Sequence, residues 1–133
     1  MQRFISLVTL IVCLAMAGCG GGTSTPEGVV TAMAEARQEI GELVDKINDE
    51  AGANDAAAKI EANVDKINDL QAKYNAMLAD KSLPIAPEKK PRYQQQMVQA
   101  SLALDRKVEL LRDRNAEAYK IVSKLLTKQK AEP

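Results

Sequence analysis

Four aspartates and two cysteines are the side chains of this 133-residue chain whose type and spacing could do chemistry. Asp45 and Asp49 lie four apart, as do Asp65 and Asp69, so on a helix each pair shares a face. Both pairs sit in a repeated hexapeptide. Val44-Asp45-Lys46-Ile47-Asn48-Asp49 recurs letter for letter as Val64-Asp65-Lys66-Ile67-Asn68-Asp69, and Ile40 and Ile60 extend the match. Four carboxylates could gather a divalent cation. Calcium, however, takes about six to eight oxygens from a shaped loop, and Lys46 and Lys66 stand beside the acids. The sequence therefore implies no metal site, and the echo reads as a small duplication or as convergence on one helical surface.

Other chemistries lack their parts. The chain has no histidine and no tryptophan. Ser82, Ser101 and Ser123 thus have no imidazole to activate them, and zinc and haem lack their commonest ligands. The one glycine run, Gly20 to Gly22, follows no strand and cannot serve as a phosphate loop. Tyr74, Tyr93 and Tyr119 are too sparse to stack nucleic-acid bases. Met33, Met77 and Met97 fall on apolar stripes and read as core. The expectation is a non-enzyme with no cofactor, no metal and no nucleic-acid partner.

The cysteines give a location. Arg3 precedes a nearly unbroken apolar run, Phe4 to Met16, which is too short to span a bilayer as a helix and reads as the h-region of a cleaved export signal. Ala15-Met16-Ala17 could serve as an ordinary cleavage site. Met16-Ala17-Gly18-Cys19, however, resembles the lipobox of bacterial lipoproteins. That resemblance implies that the Cys19 thiol receives a diacylglycerol, that residues 1–18 are removed, and that the new amino group is acylated. It places the chain on the cell membrane by a lipid anchor. Gly20 stands where Asp would favour inner-membrane retention, which points to the outer membrane, facing the periplasm, in an organism with two membranes. One acyl chain binds only marginally, whereas two or three hold stably. Cys13 leaves with the signal, so the mature chain has no disulfide.

The remaining elements are helical. Residues 19–25 form a lipidated cysteine and flexible tether, and residues 26–130 form the domain. Thr25-Pro26-Glu27 supplies a hydroxyl cap, proline in the first turn and an early acid. Val29, Met33, Ala36, Ile40, Leu43 and Ile47 then recur at helical spacing, which predicts a first helix over about 26–51, stopped by Gly52. Asn54 caps a second, over about 55–80, with Ile60, Val64, Ile67 and Tyr74 on its stripe. Pro84 and Pro87 break the chain. A third helix over about 91–128 carries Met97, Leu104, Val108, Leu111, Ala118, Val122 and Leu125, with Asn115 interrupting the stripe. The fold class is all-α: an antiparallel hairpin plus a longer third helix, a three-helix bundle.

Charge is zero overall but divided along the chain. Residues 26–80 carry twelve acids and five bases, and residues 81–133 carry six acids and twelve bases. The halves are complementary, which favours packing against each other; the alternative is that the basic half contacts an anionic partner.

Helix lengths give the most specific expectation. At 1.5 Å per residue the hairpin helices span roughly 39 Å and the third roughly 57 Å, so if all three pack side by side the third overhangs by about three turns. The alternative is a break in helix three near Asn115, or a slide that leaves both ends overhanging, and the absence of Gly and Pro argues against a sharp break. The overhang carries Ile121, Val122, Leu125 and Leu126, edged by Lys120, Lys124 and Lys128. It points away from the bilayer and offers a surface for a protein partner or another copy of the chain. Beyond the lipobox, the hairpin, its Ala56-Ala57-Ala58-Lys59-Ile60 start and the proline break resemble small helical lipoproteins of planctomycete type, a likeness that brings no activity. The murein lipoprotein is also lipidated and heptad-rich, but its helix is unbroken and ends in lysine, whereas Pro84, Pro87 and Pro91 interrupt this chain. The expected function is a membrane-anchored, non-enzymatic envelope module acting through the C-terminal part of helix three. The alternative is a carrier or chaperone-like bundle holding an apolar ligand in a cavity lined by Met33, Met77 and Met97.

Overall fold

The computed structural model describes residues 22–82 and 84–130; the expected export signal, lipobox and lipidated Cys19 lie outside them. Among the described residues every regular element is helical. Helix α1 is Pro26–Asp45, α2 is Glu50–Ala79, α3 is Lys90–Arg114 and α4 is Ala116–Thr127, followed by a 3-10 turn over Lys128–Lys130.

Four helices pack together, which corrects the expected three. The chain breaks at Asn115. Its backbone is extended (φ −157°, ψ 106°), and its side-chain Oδ1 accepts a hydrogen bond from Ala118 N at 2.9 Å. Asn is a weak interior residue but a strong cap, because its side chain replaces the missing first-turn partner. No Gly or Pro is needed for the break. The corner is buttressed by Arg114, whose Nη2 donates to Val44 O at 3.0 Å and Ile47 O at 3.4 Å, carbonyls of the last turn of α1 and of the turn that follows it.

The result is an up-down-up-down bundle with one short member. Lys107 meets Asp45 near the far ends of α3 and α1, and Tyr93 clusters with Val29 and Val30 near their starts, so these helices run parallel. Helices α2 and α4 run the other way; Lys128, after α4, reaches Glu61 within α2. The cross-section therefore changes along the axis. Beside the α1–α2 turn, four helices enclose Ile40, Val44, Ile60, Val64, Leu111 and Val122. Beyond the end of α4 only three remain. There Tyr74, Tyr93 and Met33 form a second cluster, with Ile85 of the α2–α3 loop packed against it. Tyrosines and one loop isoleucine supply the volume that a fourth helix would have filled.

The α1–α2 turn also differs from expectation. Helix α1 ends at Asp45, and the cap of α2 is Asp49, which accepts from Gly52 N at 2.7 Å. A Cβ at Gly52 would lie 3.2 Å from that carboxylate oxygen, so the glycine admits the cap rather than stopping a helix. Asn54 lies inside α2, exposed. The first hexapeptide copy thus spans a helix end, a turn and a cap, while the second is wholly helical.

Candidate functional site

The four aspartates are not brought together. Asp45 pairs with Lys107 Nζ at 2.5 Å and Asp49 caps α2, while Asp65 and Asp69 are exposed one turn apart on α2. Among the described residues no three acidic, histidine or cysteine side chains converge as metal ligands would.

The expected contact surface at residues 120–128 forms no overhang. Because the chain turns at Asn115, α4 folds back along α2 and α3. Val122 is fully buried, and Ile121, Leu125 and Leu126 are half-buried against the main core. What α4 shows to water is a cationic edge. Lys120, Lys124 and Lys128 are exposed at intervals of four. Lys120 pairs with Glu117 at 2.7 Å, and Lys128 bonds Glu61, which raises the Lys128 pKa. Arg112 lies over the Tyr119 ring, 5.9 Å from its centroid.

Met33, Met77 and Met97 pack together at the second core cluster. Met33 is fully buried, with the other two packed half-buried against the same cluster. Arg37 is the one buried charged residue among those described, 8 % exposed between α1 and α3, and its Nη1 has no hydrogen-bond partner. Burial lowers its pKa, and the charge of Asp105 opposes that shift in part. Gly41 lies where the Lys107 stem crosses α1; a Cβ there would meet Lys107 Cδ at 3.0 Å.

Sequence reasoning missed the end of the bundle where the tether enters. Thr25 caps α1 through Gly28 N at 3.1 Å, and Lys73 Nζ donates to Thr23 Oγ1 at 3.0 Å. The α2–α3 loop turns at the same end. Between the end of α2 and the start of α3 lies a trough of about 290 Å³, lined by Leu78, Asp80, Lys81, Pro84, Ile85 and Lys90. Asp80 accepts from Ser82 Oγ at 2.6 Å and Ser82 N at 2.8 Å, and these bonds hold its carboxyl below the ordinary range. Lys89, Lys90 and Arg92 occupy the start of α3, which has no side-chain cap and no acid in its first turn. That run, where acids are the rule, was the signal legible in the sequence. Among the described residues, no helix is long and apolar enough to cross a membrane. Comparison with family models, curated proteins and solved structures finds no match to the chain.

Proposed function

We propose that this chain is a lipid-anchored, non-catalytic helical module of the cell envelope. The observation that carries the reading is the join between anchor and domain. Helix α1 is capped at Thr25, six residues after Cys19, and the intervening Thr23 is tied to Lys73 on α2. A diacylglyceryl group on Cys19 would thus grip the bundle by one end on a very short leash.

The filled cores favour a structural or adaptor role over a carrier, because a carrier needs room between its helices. Partner contact through this segment is confined to its outer edge: Lys120, Lys124 and Lys128, with the half-buried Ile121, Leu125 and Leu126 beside them, while fully buried Val122 serves the bundle itself.

The test is expression of the full chain and of Cys19→Ala in a bacterium, with membrane fractionation and intact mass. The wild-type product should sediment with membranes and carry a diglyceride on its first residue, Cys19. The variant should lose both properties. A wild-type product with a free thiol, cut elsewhere and released, would overturn the anchor.

A further inference from the structure

The tether, the α2–α3 loop and the first turns of α1 and α3 meet at one end of the bundle. Cys19 lies four residues before Thr23, a reach of about 14 Å when extended. We infer that this end is a docking face for an anionic lipid surface, on which the anchored bundle stands; the inference rests on the anchor reading above.

Three observations converge on that occupant. The first is charge. Lys73, Lys81, Lys89, Lys90 and Arg92 are exposed here, against Glu27, Asp80 and Glu88. Asp80 is already engaged by Ser82, and among the described residues neither Lys81 nor Lys90 forms an ion pair. The second is the start of α3. Cations stand where the α3 dipole is positive, the first-turn N–H groups have no capping side chain, and α1 points its positive end the same way, so that two positive ends stand against the one negative end of α2. Alone in water this arrangement is unfavourable; phosphate groups of a bilayer would relieve it. The third is Leu78, 46 % exposed at the trough whose floor includes Ile85 and whose rim carries Lys81 and Lys90. An apolar floor under two ammonium groups suits the boundary between headgroup and acyl chain.

Each cation adds only modestly to attraction for an anionic leaflet. The tether makes even a weak contact effective, because it turns docking into an intramolecular event at millimolar effective concentration. The face therefore orients the bundle rather than recruiting it. Helix α3 starts at the membrane and runs away from it, and the α1–α2 turn and Asn115 corner are presented to the envelope.

The mature chain from Cys19 has a single thiol and no tryptophan. Coupling Cys19 to a maleimide lipid reproduces the tether without cellular acylation, so failure here is separate from failure of the anchor. Leu78→Trp reports the proposed face. Leu110→Trp, 56 % exposed and about 30 Å further along the axis of α3 than Lys90, reports the other end. Vesicles are phosphatidylcholine alone or, at roughly 7:3, phosphatidylcholine with phosphatidylglycerol to supply anionic charge. On the anionic vesicles, emission at position 78 should shift blue and be quenched by brominated acyl chains, while position 110 stays water-like. Lys81→Glu with Lys90→Glu, or salt raised to about 0.5 M, should return position 78 to its behaviour on neutral lipid. Equal quenching at 78 on both vesicles, or equal quenching at 78 and 110, would overturn the proposal. Far-UV circular dichroism checks that each surface variant folds.

Discussion

The fold turns on Asn115, and Asn115→Ala tests why. The substitution makes two changes. The cap bond to Ala118 N is lost, which typically removes about 1 kcal/mol. Alanine also favours continuing α3 straight into α4, by a few tenths of a kcal/mol over asparagine in a helix interior. Against these stands the docking of α4. Val122 and Ala118 are fully buried, and Ile121, Leu125 and Leu126 are partly so. At about 1.5–3 kcal/mol for a fully buried branched aliphatic, with the partly buried ones counted at about half, docking contributes on the order of 5 kcal/mol. The bent form therefore wins, and the Arg114 bonds to Val44 O and Ile47 O keep the corner in place. The expected outcome is an intact, monomeric bundle weakened by about 1–1.5 kcal/mol, a fall in Tm of about 4–10 °C for a domain of this size. Asn115→Asp keeps an acceptor at the cap and should stay close to wild type. Thermal unfolding by circular dichroism, with light scattering for mass, measures both. A rise in Tm for the alanine variant, or a dimer exchanging straightened helices, would refute the reasoning, because the straight helix would then be the preferred state.

The two hexapeptide copies should respond unequally to one substitution. Asp49→Ala removes a cap bonded to Gly52 N and should destabilise by about 0.5–2 kcal/mol, whereas exposed Asp69→Ala should lie within about 0.5 kcal/mol of wild type; equal effects in urea unfolding would show that the repeat acts as one surface. Tyr74 has its pKa raised by burial first and by neighbouring Tyr93 second. Its folded pKa exceeds its unfolded value near 10, so its contribution is complete below about pH 10 and declines as pH rises through the folded pKa. Urea midpoints between about pH 8 and 11 should fall more steeply for wild type than for Tyr74→Phe, and an unchanged alkaline slope in the variant would remove Tyr74 as the cause.

Periodicity found the core faces and missed the corners. Val29, Met33, Ala36, Ile40, Ile60, Val64, Ile67, Leu104, Val108 and Leu111 are all buried, on the stripes where helical spacing places them. Periodicity is carried by many residues, so it survives a few misread ones. A corner is decided by one side chain. Asn115 reads equally as a polar interruption of a stripe and as a cap, and only the buried area on offer to α4 decides between them. The same limit governs Asp49 and Asp69. Their neighbourhoods are identical back to Val44 and Val64, and they diverge in the next three residues, Glu50-Ala51-Gly52 against Leu70-Gln71-Ala72. Gly52 lets the Asp49 carboxylate close on its backbone N–H, and Leu70 is buried in the second cluster, 7 % exposed, which holds its segment in the helix. The misplacement of Val122 came from reading helix three as unbroken. A straight third helix puts Val122 in water beyond the bundle; a corner at Asn115 puts it in the main core.

Unequal helix lengths then distribute roles along the axis. Thirty residues of α2 face only twelve of α4, so the end near the α1–α2 turn is a four-helix core of small aliphatics. The tether end must be closed by tyrosines and a loop. A loop-closed end presents more backbone and more polar side chains than a helix-closed one, and in this chain those side chains are mostly cationic. The short fourth helix thus leaves the tether end to be closed by the loop and helix start that carry Lys81, Lys89 and Lys90. If α4 extended to the length of α2, its C-terminal turns would cover the side of the second cluster and bring a negative dipole end to the tether. Lengthening α4 should therefore stabilise the bundle while weakening the anionic-lipid docking inferred for this end.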